Sequence, residues 1–424
     1  MTRSSRALRT AAVLGVSALA LAACGSDDTT TPTTDESSES AASSDGDGTL
    51  TIGTLLPQTG SLAFLGPPEF AGVQLAVNDI NEAGGVLGED VVKKDSDSGD
   101  TSTDIASQSV DRLFSEDVDA IIGAASSGVS KTVIDKITGA GVVHFSPANT
   151  SPDFTDYKDN GLYFRTAPSD VLQGRVMGDL LLNDGYLSVG VIALDDPYGT
   201  GLAENIKLSV ENGGGEIVGG DAIIYDPKAS SFSAEVTQLK SANPEAIVLI
   251  GFEETKKIVP ELQAQGIGPD EVPLYFVDGN LADYSDSFQP GTLEGVKGTL
   301  PGAEAGDEFR AQLLEVDPSL KDFSYAPESY DATILIALAA IAAGDDSGEA
   351  IGEALPDVSR GGEKCSTFAD CSEMLEAGED IDYDGVSGPI EFSDAGDPTE
   401  ATIGIYEYGA DNTYTNLEYV SGSL

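Results

Sequence analysis

The run Asp380-Ile381-Asp382-Tyr383-Asp384-Gly385, followed after five residues by Glu391, satisfies the calcium-loop pattern D-x-[DN]-x-[DN]-G-x5-E. Acids at alternate positions, closed by a glycine turn, offer hard oxygen ligands to one cation. The segment Ser372–Ala377 can supply the entering helix, but Pro389 lies inside the loop. The following Phe392-Ser393-Asp394-Ala395-Gly396-Asp397-Pro398 cannot continue as the exit helix. Residues 380–391 therefore read as a connection into a terminal strand, with no metal assigned. The adjacent acids Asp195-Asp196 and Glu253-Glu254 have the residue types of a glycosidase pair. Among 73 acidic side chains, however, adjacency carries no weight. The single histidine, His144, lies in the apolar run Val142–Phe145 and reads as a core residue; alone it cannot build a multi-histidine zinc site. There is no Gly-x-Ser-x-Gly elbow, phosphate-binding Gly-x-x-x-x-Gly-Lys-Ser/Thr loop or Gly-x-Gly-x-x-Gly fingerprint, and Gly213-Gly214-Gly215 reads as a turn. These residues predict a protein that performs no chemistry and holds no cofactor.

The elements that position any site begin at Thr49. Thr49-Leu50-Thr51-Ile52-Gly53 reads as a strand, and Phe70–Val77 as a helix stopped by Gly84-Gly85. Further strands are expected at Ala120–Gly123, Val142–Phe145, Val189–Ala193, Ala246–Ile250 and Leu274–Val277, with helices between most of them. Continuous apolar strands alternating with helices imply parallel sheets covered on both faces. The rhythm restarts near Arg165-Thr166-Ala167-Pro168-Ser169, which predicts a second lobe of similar build and a cleft suited to a ligand. Ala326–Gly344 is apolar round most of its circumference but carries Glu328 and Asp331; it reads as a buried core helix rather than a membrane span. Pro389–Phe392 and Ala401–Tyr406 are strand-like.

Charge and the first residues set the setting. With 21 basic side chains the formal net charge is −52, which repels nucleic-acid phosphate and anionic lipid alike. Arg3, Arg6 and Arg9 precede the apolar run Ala11–Ala23, too short to span a membrane, so 1–23 reads as a signal peptide. Its end, Leu21-Ala22-Ala23-Cys24, resembles the lipobox of bacterial lipoproteins; that resemblance implies lipid (palmitate among the acyl chains) on Cys24. The chance placement of a cysteine after an ordinary secretory signal is the rival. Residues 24–48 then form a lipidated cysteine and a disordered linker of Ser, Thr, Asp, Glu, Ala, Gly and Pro. Cys365 and Cys371 are left over, and an oxidising envelope favours a disulfide between them, a redox or metal role being the alternative. The acidity fits a saline habitat or an acidic secretome equally.

The body resembles the branched-chain amino-acid-binding proteins of ABC transporters, of the Leu/Ile/Val type. The resemblance rests on ordered blocks from about Thr49 to the C-terminus: Leu56-Pro57-Gln58-Thr59-Gly60, Asn78–Gly85, Ile122–Gly128, Ser146–Pro152, Tyr198-Gly199-Thr200-Gly201, Tyr325–Ala332 and Asp384–Pro389. It implies an α/β protein of two similar lobes, each a parallel sheet sandwiched by helices, joined by three hinge crossovers with a ligand cleft between, the type 1 periplasmic-binding fold. On that pattern lobe 1 is 49–167 plus 296–386 and lobe 2 is 168–295 plus 387–424. The crossovers are expected near Thr166–Ser169, Leu293–Gly298 and Gly385–Gly388. It also implies a monomeric receptor on the extracytoplasmic face of a bacterial plasma membrane. This receptor would deliver an amino acid to ABC permease membrane subunits, without nucleic acid or metal.

The resemblance further implies particular site residues. Ser126 and Ser127 open a helix whose N–H groups suit a ligand carboxylate, joined by the Thr150 hydroxyl and amide. The Ala148 carbonyl and the Asp278 carboxylate would receive an ammonium, while Tyr198, Phe252 and Phe64 line the pocket. Each has a duller rival: helix capping for the serines and Thr150, lobe packing for the aromatics, surface charge for Asp278. Asp278 is shorter than the Glu of some relatives and Phe252 lacks a hydroxyl present there, so the ligand's side chain stays open. An amide, urea or aromatic carboxylate ligand and a sensory role are the alternatives.

Overall fold

A computed structural model describes residues 46–303 and 305–424; the leader, Cys24 and most of the linker lie outside the described residues. The chain begins with β1 (Thr51–Leu56), α1 (Gly66–Glu82), β2 (Val92–Asp97), α2 (Ile105–Phe114), β3 (Ala120–Gly123), α3 (Ser127–Thr138), β4 (Val143–Ser146) and β5 (Tyr163–Arg165). These strands form one parallel sheet in the order β2-β1-β3-β4-β5. Every residue of β1, β3 and β4 is buried, as continuous apolar runs require when helices cover both faces. His144 on β4 is fully buried edge-on to Tyr163, with ring centroids 5.2 Å apart. Burial pushes its pKa down to about 4, so it stays neutral. A core residue it is.

A second series follows: α4 (Asp170–Asn183), β6 (Ser188–Leu194), α5 (Pro197–Asn212), β7 (Glu216–Ile217), β8 (Ile223–Tyr225), α6 (Ser233–Ala242), β9 (Ala246–Ile250), α7 (Thr255–Gln265), β10 (Leu274–Phe276) and β11 (Lys297–Pro301). The chain returns to the first lobe as α8 (Asp307–Val316), α9 (Ala326–Ala343), α10 (Gly348–Val358), β12 (Glu363–Cys365), α11 (Phe368–Glu376), β13 (Ile381–Gly385) and β14 (Gly388–Pro389). It ends in β15 (Glu400–Tyr408) and β16 (Tyr414–Ser423). The second sheet runs β16-β15-β11-β10-β9-β6-β7, with β8 also on β6. It is parallel from β7 to β11, and the hairpin β15–β16 adds an antiparallel edge. This is the two-lobe α/β fold the sequence implies.

Two crossovers differ from the expected positions. Lys297–Pro301 pairs with β10 and β15, so the chain leaves the second lobe after Pro301 rather than within Leu293–Gly298. Gly302 makes that exit with φ +112, and a Cβ there would collide with the Glu328 carboxyl. The third crossing lies beyond Gly385–Gly388. Ile390 and Phe392 are buried in the first lobe's core, Phe392 against Phe145 and Phe164. Arg165, fully buried, then holds Asp397 at 2.6 Å before β15 begins. The first crossing lies between β5 and α4.

Helix α9 is the first lobe's central packing element. Residues Ala326 to Ala340 are buried on every face, against α1 and α10 among others. The calcium-like pattern forms β13 and its turn into β14. Its carboxylates converge on the Lys364 ammonium: Asp384 at 3.0 Å, Asp382 at 3.1 Å and Glu391 at 3.7 Å. Among the described residues no acid, histidine or cysteine cluster has metal-holding geometry. Cys365 and Cys371 are joined as a disulfide, closing β12 onto α11.

Candidate functional site

Asp278 follows β10 at the sheet's C-terminal edge, where open α/β sheets present their sites. It is 6% exposed, which removes the surface-acid reading. Asn280 fixes its turn: the side-chain oxygen accepts from Val277 N–H at 2.9 Å, and the amide donates to the Leu249 carbonyl at 3.0 Å and Thr255 Oγ1 at 3.1 Å. Three donors converge on the carboxylate. Tyr198 hydroxyl reaches Oδ1 at 2.7 Å, Gln173 Nε2 reaches Oδ1 at 2.9 Å, and Tyr325 hydroxyl reaches Oδ2 at 2.8 Å. Tyr198 is set by α5, whose N-cap Asp196 accepts from Gly199 N–H at 2.8 Å with Pro197 in the first turn. Tyr325 stands at the N-cap of α9 in the left-handed region, φ 59.

Gln173 and Asp170 share one face of α4, a turn apart. Burial pushes the Asp278 carboxyl upward, and the three donors pull it back. Asp170 is raised well above the usual carboxylate range by burial first and by facing Asp278 second. Among the described residues both Asp170 oxygens, Gln173 Oε1 and Thr150 Oγ1 are buried without a partner at hydrogen-bond geometry, although the Thr150 hydroxyl lies close enough to Asp170 to favour its charged form. Oxygens buried in this way can accept N–H donors.

The opposite wall comes from the first lobe. Ser126 caps α3 through Val129 N–H at 3.3 Å, so its hydroxyl is engaged in the role its rival reading gave it. Ser127 is buried at the first helical position, its hydroxyl accepting from Ser151 N–H at 3.3 Å. Asn149 braces the neighbouring loop, donating to the Ala124 and Ala125 carbonyls at 2.9 Å each. Arg165 donates to the carbonyls of Asn149 at 3.2 Å and Ser151 at 2.8 Å, so Thr150 is held from both sides. The Thr150 carbonyl accepts from Asp170 N–H at 2.7 Å.

The lobes meet across the cleft. Ser151 hydroxyl donates to the Pro197 carbonyl at 3.0 Å, and Lys228 to the Thr101 carbonyl at 3.0 Å. Gly128 on α3 lies so close to Asp196 that a Cβ would stand 2.9 Å from its carboxylate oxygen. Ala148 from the first lobe joins Tyr198 and Phe252 in one apolar cluster, with Phe64 packed against it. Tyr198 and Phe252 stack at 5.5 Å and 6°. Ala148, Tyr198, Phe252 and Phe64 thus share one apolar cluster and Tyr198 ties it to Asp278, while Ser126, Ser127 and Thr150 lie on the first-lobe loops; Gln173, Asp170 and Tyr325 join Asp278 unforeseen. A helical glutamine looks like surface in sequence; the signal for Tyr325 was its place in the block Tyr325–Ala332.

The family described as periplasmic binding protein matches residues 49–412, and the chain belongs to it. A Leu/Ile/Val-binding protein homolog 3 of Brucella melitensis is 35% identical over 207 residues, covering 48% of this chain; the chain spans about half of that relative's length, 54%. A leucine-, isoleucine-, valine-, threonine- and alanine-binding protein of Pseudomonas aeruginosa is 26% identical over 87% of this chain and 92% of its own length. A substrate-binding protein of a chemotactic signal transduction system in Halobacterium salinarum is 26% identical over 82% of this chain and 84% of its own. Three solved structures share the fold. A leucine-binding protein of Thermotoga maritima has TM-score 0.71 and 22% identity, over 88% of this chain and 98% of its own. An isoleucine complex of a branched-chain amino acid transporter protein from Streptococcus pneumoniae has TM-score 0.70 and 23% identity, over 89% and 100%. A benzoate complex of a solute-binding protein from R. palustris has TM-score 0.69 and 20% identity, over 89% and 98%.

Proposed function

We propose that this solute-binding protein captures an α-amino acid with an apolar or aromatic side chain by closure of its two lobes and passes it to an ABC permease. The observation that carries the reading is the buried Asp278 carboxylate, held by Tyr198, Gln173 and Tyr325 beside Asp170 and Thr150. An ammonium satisfies the acids, and the α3 N-terminus with the Ser127 and Thr150 donors suits the ligand carboxylate. Tyr198, Phe252 and Phe64 suit an apolar side chain. The amino-acid names of the Brucella and Pseudomonas relatives support it. A bare carboxylate such as benzoate gives Asp278 no cation, which weighs against that alternative. Capture is binding without chemistry, so no catalytic group or cofactor is needed. Lipid on Cys24 and the linker to residue 48 would tether the monomeric body outside the plasma membrane.

A sensory use of the same capture has one observation in its favour, the chemotactic relative from Halobacterium. Calorimetric titration of unfolded-and-refolded protein with leucine, isoleucine, valine, phenylalanine, benzoate and urea tests the ligand. One-to-one binding of an amino acid upholds the proposal; binding of benzoate or urea alone overturns the ligand class. Co-purification of permease subunits, as against a membrane receptor, separates transport from sensing.

A further inference from the structure

We propose that the seam between the lobes carries a second binding site, separate from the Asp278 group, for a small monocarboxylate with an aromatic or apolar body. A cavity of about 540 Å³ opens there, within the usual size of small-molecule sites. Arg310, Lys321 and Phe323 line it from α8 and the turn before α9, and Tyr406, Tyr414 and Tyr419 line it from the terminal hairpin. Tyr325 borders both this cavity and the Asp278 group.

The cations mark it. In a chain with 73 acids, the described lysines and arginines are engaged in ion pairs or side-chain hydrogen bonds, apart from Lys158, Lys257, Arg310 and Lys321. Two of those four line this one cavity. Among the described residues Arg310 Nε is buried without an acceptor, although burying an unmatched guanidinium N–H is costly. Its guanidinium lies over the Phe323 ring, 5.6 Å from the centroid, which orients the donor fork. A carboxylate supplies the missing acceptor, and Lys321 a second charge.

The acids at the cavity limit what fits. Asp322 is engaged by Ser324 N–H at 2.8 Å and by the Tyr414 hydroxyl at 3.3 Å, and Asp283 by Ser285 N–H at 2.8 Å. Burial pushes the Glu328 pKa up to about 8, which keeps it a neutral donor near pH 7. With Asp322 and Asp283 already given donors, Arg310 and Lys321 are left to one added carboxylate, and the neighbouring acids oppose a second negative charge such as that of phosphate. The tyrosine and phenylalanine walls take an apolar body.

Benzoate, acetate and inorganic phosphate are the probes, titrated by calorimetry into the full chain with and without saturating leucine. Benzoate is expected to bind one equivalent in both conditions, acetate more weakly, and phosphate not at all. Arg310→Gln and the more exposed change Lys321→Gln are each expected to weaken benzoate about tenfold, the value of one charge-assisted hydrogen bond, with leucine binding unchanged. Asp278→Asn is expected to leave benzoate binding as it is. Displacement of leucine by benzoate, retention of full benzoate affinity in both cation variants, or no saturable binding at millimolar benzoate overturns the second site. If leucine itself fails to bind, the cation variants in ligand-free protein still decide the seam site, so the two proposals fail separately.

Discussion

Replacing Asp278 by Asn removes one negative charge and almost no volume. The Asn oxygen can keep the bonds from Tyr198 at 2.7 Å and Gln173 at 2.9 Å, while its amide can donate to the Tyr325 hydroxyl, which now stands 2.8 Å from Oδ2. A ligand ammonium then loses its buried counter-charge. Removing one partner of such a pair costs about 3–5 kcal/mol, which weakens affinity by roughly two to four powers of ten. Stability moves the other way. The Asp278 carboxyl is raised by burial, so its stabilising share is complete below the unfolded pKa and is lost as pH climbs through the folded value. Near pH 8 the ionised group is a liability that Asn lacks, so ligand-free Tm is expected to hold or rise. Calorimetry gives the affinity of the amino acid the native chain binds, and differential scanning gives Tm in the same buffer. Affinity within threefold of the native protein, in a variant of unchanged Tm, would refute the pairing of Asp278 with an ammonium.

Three other outcomes follow from buried charge. Glu328 is raised to about 8, Asp119 to about 7, Asp196 and Asp331 to about 6, all chiefly by burial. Raised carboxyls stabilise at low pH and lose that share as pH rises through those values, so ligand-free Tm is expected to fall by several degrees from pH 5.5 to 8.5. His144, pushed down to about 4, subtracts stability as pH drops from about 6.5, but one histidine offsets only part of what four raised carboxyls contribute; a Tm flat from pH 5.5 to 8.5 contradicts the burial of these acids. Arg165→Met strands Asp397, and urea unfolding is expected to show a loss of about 3–5 kcal/mol; a loss below about 1 kcal/mol would mean that the pair is open to water. Calcium and magnesium at equal millimolar concentration are expected to shift Tm equally, since Lys364 already sits among Asp382, Asp384 and Glu391; a calcium-specific rise would mean displacement of the ammonium.

Strands buried on both faces were legible because nothing but apolar side chains fits there: β3 and β9 lie where Ala120–Gly123 and Ala246–Ile250 predict. Edge strands were not. β2 is Val92-Lys93-Lys94-Asp95-Ser96-Asp97, half-buried and charged, and β16 exposes Leu417, so neither carries an apolar run. The second crossover was misplaced because Lys297-Gly298-Thr299-Leu300-Pro301 has weak strand character and owes its place to partners on both sides. For the site, the resemblance pointed to Asp278, Tyr198 and Thr150, but not to what surrounds Asp278. Asp170 and Gln173 are polar residues on a helix, and only tertiary packing turns their face inward.

The Lys364 arrangement has a consequence for where such a protein can work. A loop closed by a dissolved ion holds only while the medium supplies that ion, and it opens under a chelator. Here the counter-ion is covalently part of the chain, brought by β12 to the strand it clasps. Tethering fixes its local concentration at a value dilution cannot lower. An extracytoplasmic binding protein meets whatever ionic composition its surroundings impose. Its clasp beside the third crossover is therefore insulated from calcium scarcity, and near neutral pH it loosens as ionic strength rises.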